Sequence, residues 1–380
     1  MILATQTLLF PELAAGQPVS DAVSSTFVDN MRLPVHRWIR FSAGFSGAWA
    51  QHVIQNVATS NDVRVFDPFT GSGTTLIAAE DAGVAARGVE AHPFVYRIAR
   101  AKLARRSDVE DFREKIRAIR LTAAMNVPEL NLYPKLIRMC YTDEALGELD
   151  CLRRAVEATD DGSATSQLAW LTLVGILRRC SHAGTAQWQY VLPKKSKKQT
   201  THPLFAFDEL SRMMLMDMAT CSRIDAPEAQ LLQADSRDCE GVPDNFATLV
   251  LTSPPYPNNY DYADATRLEM CFFQEINGWG DLQTTVRQYL VRSCSQHVPE
   301  RSVNIERILT DPILEPIRSE IVPICEELAK VRLTKGGKKT YHLMIACYFL
   351  DLARVWIALR RVCDSPSEVC FVIGDSAPYG

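Results

Sequence analysis

Apolar residues recur along this chain in two rhythms. Short β-rich runs cover Asp62 to Phe66, Ala85 to Glu90, Leu231 to Ala234, Ala247 to Thr252 and Glu368 to Gly374. Longer stretches of helical character separate them: Val35 through Ile54, the LIAAEDAG segment, Phe94 to about Arg106, most of 107–225, most of 263–335, and Tyr341 to Val362. Strands alternating with helices predict an α/β fold built on a doubly wound, mostly parallel sheet. The long span before the third strand predicts a large, mainly helical insertion. The expected division is an irregular lead-in over 1–30, one half of the sheet domain over 31–125, the helical insertion over 126–228, and the other half over 229–380, with a helical insert at about 263–335.

Composition narrows the class without choosing a function. The 380 residues carry 41 Lys and Arg against 45 Asp and Glu, a formal net charge of −4, with 47% hydrophobic and 23% charged residues. These values exclude disordered, collagen-like and coiled-coil classes. They also exclude a uniformly basic nucleic-acid coat, while leaving room for a local basic groove. No apolar run approaches the ~18 residues of a membrane span, and Met344 to Leu350 is interrupted by Cys347 and Tyr348. The opening MILATQTLLFPELAAG has neither a basic n-region nor a cleavage site, so no secretory signal and no membrane partner are expected. Eleven cysteines without a CxxC and seven histidines without an HExxH predict reduced thiols, no disulfide framework and no metal site.

The segment Asp67-Pro68-Phe69-Thr70-Gly71-Ser72-Gly73-Thr74-Thr75 falls where the first βα turn is expected. Glycines there let the backbone approach a ligand, and the following helix presents free N–H groups. A phosphate-binding loop needs a Lys after its last Gly, where this chain has Thr74. A dinucleotide fold wants a third glycine, which is missing. S-adenosylmethionine is the third reading: a zwitterionic amino acid on a nucleoside, with no pyrophosphate to cradle. Asp67 suits its ammonium group, and Glu90, 19 residues after Gly71, suits both ribose hydroxyls. Glu90 equally fits an ordinary exposed carboxylate at a strand end.

Thr252-Ser253-Pro254-Pro255-Tyr256 follows another predicted strand, at the end where open α/β sheets bind ligands. Two consecutive prolines stop the ladder and stiffen the chain. That rigidity aims the Ser253 hydroxyl and the Pro254 carbonyl at one point and leaves Tyr256 as an aromatic wall. A plain strand-terminating turn is the simpler alternative.

Together these two segments resemble the S-adenosylmethionine-dependent DNA amino-methyltransferases, which modify cytosine N4 or adenine N6. GVEAHPFVYRIARAK (88–102), LLQADSRD (231–238), PNNYDYADATRLE (257–269), YFLDL (348–352) and VCFVIGDS (369–376) resemble further motifs of that family in the same order, with HRWIRFSAGFS (36–46) a fainter match. The resemblance implies a class I S-adenosylmethionine-dependent methyltransferase fold, with Asp67, Pro68, Phe69, Gly71, Ser72, Gly73, Thr74, Glu90, Asp235 and Ser236 holding S-adenosylmethionine. It implies Ser253, Pro254, Pro255 and Tyr256 as the catalytic segment, acting on a base flipped out of double-stranded DNA. Ser in the first position of that segment is similar to the cytosine-N4 group, whereas Asp is usual among adenine enzymes. Carbon-5 cytosine chemistry, which needs a Cys nucleophile typically in a Pro-Cys pair, is disfavoured because the chain contains no such pair.

The 180-residue gap between Gly73 and Ser253 resembles the permutation class that places target recognition there. Within it, Lys194, Lys195, Lys197 and Lys198, with Gln187, Trp188 and Tyr190 upstream, suit phosphate contacts and stacking, or else form a solvated lysine loop. Lys335-Gly336-Gly337-Lys338-Lys339 reads as the turn before a helix. The family's sheet continues past its fifth strand into an antiparallel hairpin, which this sequence lacks after Gly374; truncation, an open edge or a chain completing the edge are the expectations. A cognate restriction endonuclease, host modification or phage defence, and a cytoplasmic, nucleoid-associated setting in a bacterium or archaeon complete what the resemblance implies. An adenine-N6 enzyme, an RNA base methyltransferase and a catalytically silent DNA-binding subunit are the alternatives.

Overall fold

The computed structural model describes residues 27–58, 62–186, 189–222, 225–257, 260–298, 303–334 and 340–373. Among the described residues seven strands are formed: β1 Arg64–Asp67, β2 Ala85–Val89, β3 Ala183–Thr185, β4 Val191–Ser196, β5 Gln230–Leu232, β6 Ala247–Thr252 and β7 Cys363–Phe371. Five of them make one parallel sheet in the order β5-β2-β1-β6-β7. The α-helices of six or more residues are α1 Gly47–Val57, α2 Thr74–Asp81, α3 Pro93–Leu103, α4 Val109–Met125, α5 Asp143–Ala158, α6 Ala164–Cys180, α7 Pro203–Cys221, α8 Arg267–Phe272, α9 Arg318–Val331 and α10 Tyr341–Val362. The expected doubly wound α/β sheet with a largely helical insertion is therefore what the chain adopts.

Strand β1 is central because its apolar residues are covered on both faces. Val65 and Phe66 are fully buried and belong to clusters on opposite sides of the sheet. From β1 the chain winds outward through β2 to β5, then returns to β6 on the other side of β1. The carboxyl ends of β1 and β6 thus flank the point where the winding reverses, where such sheets open a crevice.

Several boundaries differ from the expectations. The segment 35–54 is not one helix: a short 3-10 turn, His36–Trp38, precedes α1. Asp217 on α7 holds the bent stretch, accepting hydrogen bonds from Val35 N (3.1 Å), Arg37 Nε (3.1 Å) and Trp38 Nε1 (2.8 Å). The basic loop is instead part of a hairpin, with Lys194 and Lys195 in β4 paired antiparallel to β3. Strand β7 begins at Cys363, directly after α10, and its pairing with β6 is irregular between Ala247 and Leu249. Gln187, Trp188, residues 335–339 and Gly374 lie outside the described residues.

Helix α10 is, by length and composition, able to cross a membrane, although its uninterrupted apolar runs are short. Here it packs in the core, and its fully buried Asp351 accepts hydrogen bonds from Arg292 Nε (2.8 Å) and Nη2 (2.6 Å).

The helical layer is continuous with the sheet domain. One apolar cluster joins Leu149, Leu168 and Phe207 of the insertion to Phe112 and Ile119 of α4, Ile77 of α2 and Phe94 of α3. A buried ionic cluster braces the same junction. Arg105 is paired with Glu80 (3.1 Å) and Asp81 (2.7 Å), and the second oxygen of Glu80 accepts from Ala229 N (2.9 Å). Replacing Glu80 by Ala leaves the buried Arg105 guanidinium with Asp81 alone and removes the acceptor for Ala229 N, which should cost about 3 kcal/mol of stability. Urea unfolding of Glu80→Ala checks this; a loss below about 1 kcal/mol would show that the pair is not a brace.

Candidate active site

The β1–α2 turn is organised by Asp67. Its carboxylate is fully buried, and Oδ1 accepts from Phe69 N at 2.9 Å and from Thr252 Oγ1 at 2.5 Å. Oδ2 is buried without a hydrogen-bond partner. Burial pushes this carboxyl up to about 6, against hydrogen bonds that favour the ionised form. Gly71 and Gly73 both have positive φ, 53° and 90°, so the turn needs residues without a Cβ at these positions.

Glu90 follows β2 and braces the same turn. Its Oε2 accepts from Gly71 N at 2.7 Å and its Oε1 from His92 N at 2.8 Å. Burial raises its carboxyl to about 7, partly offset by these two N–H donors. Gly88 lets the turn lie against β2: a Cβ there would meet Thr70 Oγ1 at 2.3 Å and Asp67 O at 3.2 Å.

The second segment leaves β6 beside this turn. Thr252 is fully buried and spends its hydroxyl on Asp67, while Ser253 turns toward the crevice. Ser253 Oγ lies 3.1 Å from Tyr256 Oη and 3.3 Å from Val372 O. Tyr256 donates its phenolic hydrogen to the same carbonyl at 3.0 Å. Val372 is held in turn by its own N–H, which donates to Thr252 O at 2.8 Å.

A cavity of about 1270 Å³ opens over these elements. Pro68, Phe69, Gly71, Glu90, Ser236, Ser253 and Pro255 line it, so the structure gathers segments far apart in sequence. The remaining expected residues are placed differently. Ser72 faces a small recess next to the cavity, while Gly73 and Thr74 begin α2 beneath it. Pro254 is buried. Asp235 does not line the cavity: its carboxylate takes Arg237 Nε at 2.9 Å and Nη2 at 2.5 Å. Tyr256 does not line it either, since its hydroxyl is drawn to Val372; Tyr260 and Tyr262 form aromatic wall instead.

The lysines divide as well. Lys194, Lys195 and Lys198 are exposed, and Lys197 and Lys198 reach the cavity lining. Lys197 donates its ammonium to Arg178 O at 2.6 Å, so it fastens the hairpin to α6.

Sequence reasoning missed an ion pair in the wall. Arg178 of α6 meets Glu269 of α8 through Nε (2.5 Å) and Nη2 (3.0 Å), and also donates to Gln189 O and Ala265 O. Nothing local marks either residue, because 91 positions separate them. Asp261, Cys294 and His297 bring metal-ligating atoms within 4.8 Å of one another. The Arg287 guanidinium already supplies the positive charge there, pairing with Asp261 at 2.7 Å.

Residues 26–101 match the family model described as DNA methylase, of the N6/N4 type. The type II methyltransferase M.BsoBI of Geobacillus stearothermophilus is 21% identical over 392 residues, covering 92% of this chain and 75% of that protein. The type II methyltransferases M.AvaI of a Nostoc species and of Anabaena variabilis are each 25% identical over 380 residues, covering 93% of this chain and 77% of theirs. Over residues 26–101 the chain resembles the DNA amino-methyltransferase family, and its similarity to these type II methyltransferases extends at low identity along most of its length. No solved structure matches it.

The seat of the β1–α2 turn is open to direct test. Gly88→Ala drives a methyl group into Thr70 and should cost about 1–3 kcal/mol while displacing the turn. Thermal unfolding of the variant checks the stability, and loss of small-ligand binding by calorimetry checks the turn. A stable variant with unchanged binding would refute the packing account.

Proposed function

We propose that the chain methylates the exocyclic amine of a base flipped out of double-stranded DNA, cytosine N4 in preference to adenine N6, using S-adenosylmethionine. The observation that carries this reading is the single cavity lined by Gly71 and Glu90 on one side and by Ser253 and Pro255 on the other. Its volume exceeds the roughly 300–1,000 Å³ of a site for one small molecule, which leaves room for a base beside a cofactor.

The residues fit S-adenosylmethionine. Asp67 offers a buried oxygen with no partner to an ammonium group, and Glu90, braced by two backbone N–H groups, keeps lone pairs for ribose hydroxyls. Pro68, Phe69 and Ser236 supply wall to the cavity, with Gly71, Ser72, Gly73 and Thr74 shaping the turn. When bound, the cofactor supplies a methyl group on a sulfonium. Asp235, committed to Arg237, shapes its loop from behind the wall.

Ser253 performs the central task. An exocyclic amine is a poor nucleophile because its lone pair is delocalised into the ring. The Tyr256 phenol and the Val372 carbonyl lie behind the Ser253 hydroxyl, and the carbonyl accepts its hydrogen bond. The Ser253 lone pairs then remain for the amine N–H, and the Pro254 carbonyl accepts the second hydrogen on a turn stiffened by Pro255. This loosens the conjugation and frees the nitrogen lone pair, with catalysis otherwise resting on alignment. The aromatic surface of Tyr260 and Tyr262 faces the extruded base. Ser253, rather than Asp, favours cytosine.

The insertion 126–228 serves as the target-recognition region, with Lys194, Lys195 and Lys198 meeting DNA phosphates. Lys197 holds the hairpin in place. A restriction-modification or phage-defence setting in the cytoplasm fits the type II names of the similar proteins.

Methyl transfer to unmodified bacterial DNA, digested to nucleosides and read by mass spectrometry, tests the reading. N4-methylcytosine is expected, and Ser253→Ala should reduce its formation about 100-fold or more while leaving cofactor binding intact. N6-methyladenine would overturn the base assignment, and no methylated nucleoside would overturn the activity.

The raised Glu90 carboxyl gives a pH test. A folded-state value near 7 against an ordinary 4.5 means that this group's stabilisation is complete below about pH 4.5 and is lost as the pH rises through 7. Hydroxyl donors prefer the ionised form, so cofactor affinity should rise between about pH 6 and pH 8 with release of a proton. Glu90→Gln should flatten that step in calorimetric titrations; a flat profile in the unmodified protein would refute the assignment.

A further inference from the structure

Lys102, on the last turn of α3, is 1% exposed and makes no hydrogen bond or ion pair among the described residues. Nearby acids do not serve it. Glu80 and Asp81 are engaged by Arg105, and Glu80 also by Arg106. Burial, with the like charge of Arg105 beside it, lowers the lysine to about 7; burial, helped by Lys102 and Arg105, likewise lowers His36. Buried charges are normally paired, so this arrangement is short of one anion.

The surroundings say which kind. Lys102 faces a recess of about 10 Å³ that it shares with Asn30, His36, Phe41 and Ser72. Ser72 belongs to the β1–α2 turn, and α2 begins directly after Gly73 with no side-chain cap, so its positive end is available to an anion. Phe41 and Ile39 border both this recess and the large cavity, so the two lie side by side. One turn therefore carries an unmet acid oxygen on Asp67 and, beneath Ser72, an ammonium without its counter-ion.

We propose that Lys102 is the counter-ion for the carboxylate of a zwitterionic amino-acid moiety, with Asp67 taking its ammonium. The inference rests on the S-adenosylmethionine reading above and assigns a residue to the end of the cofactor remote from the transferred methyl group. Lys102 is a binding residue and touches no reacting atom.

Calorimetry on the full chain without DNA, so without turnover, separates the possibilities. S-adenosylmethionine and its decarboxylated form are titrated into the unmodified protein, Lys102→Met, Lys102→Gln and Lys102→Arg. The unmodified protein should prefer the carboxylated ligand by about tenfold or more. Lys102→Met and Lys102→Gln should erase that preference while binding the decarboxylated ligand within about twofold of the unmodified protein, and Lys102→Arg should keep part of it. The ligand-free melting temperature of Lys102→Met should be unchanged or higher, because an unpaired buried cation has been removed. A preference that survives in both neutral variants overturns the proposal. Lys102-dependent stabilisation by acetate or chloride, without a Lys102-dependent ligand preference, overturns it in favour of a free-anion site. Failure of the unmodified protein to bind either ligand defeats the cofactor reading itself, and this proposal with it.

Discussion

The hydrogen bond from Thr252 Oγ1 to Asp67 Oδ1 spans 185 positions of sequence and 2.5 Å of space. It joins the ends of β1 and β6, the two neighbouring strands from which the sheet winds in opposite directions. Thr252 occupies one oxygen of Asp67 while the other has no partner, and because Thr252 is buried, Ser253, directly after β6, is the residue that reaches the cavity. The placement of both segments depends on this contact. It is formed by a fully buried carboxylate whose burial raises its own proton affinity, so the bond holds a group that folding alone disfavours in its charged form.

What could be read from the sequence follows from how local each signal is. The β-rich runs and the glycine turn are local, since backbone conformation at Gly71 and Gly73 restricts residue choice directly, and these placed the sheet and the β1–α2 turn. The stretch 35–54 misled because its apolar spacing suits a helix while Asp217, some 180 positions away, captures three of its donors. The lysine run misled in the same manner: charge spacing says nothing of an antiparallel partner, and β3 turned a supposed loop into an edge. Arg178 and Glu269 were invisible because an ion pair made by tertiary packing leaves no pattern in either segment.

The helical layer is bonded to the sheet domain by more than its connections. Phe112, Leu168 and Phe207 share a core with Ile77 and Phe94, and Arg178 contributes directly to the cavity wall. The layer therefore cannot be exchanged as a cassette without rebuilding the wall of the site. Lys197 illustrates the same economy, since one ammonium on the carbonyl of Arg178 ties the hairpin to the residue that frames the cavity.

The carbonyl of Val372 gives the order of synthesis a chemical meaning. A chain grows from its amino terminus, and Ser253 leaves the ribosome 119 residues before Val372 does. Throughout that interval both signature segments exist, yet the serine and tyrosine hydroxyls have no acceptor behind them. The docking of β7 beside β6 delivers that acceptor, so completing the sheet and fixing the serine hydroxyl are one event. A nascent chain therefore acquires this hydrogen-bonded arrangement only when almost the whole described fold is in place.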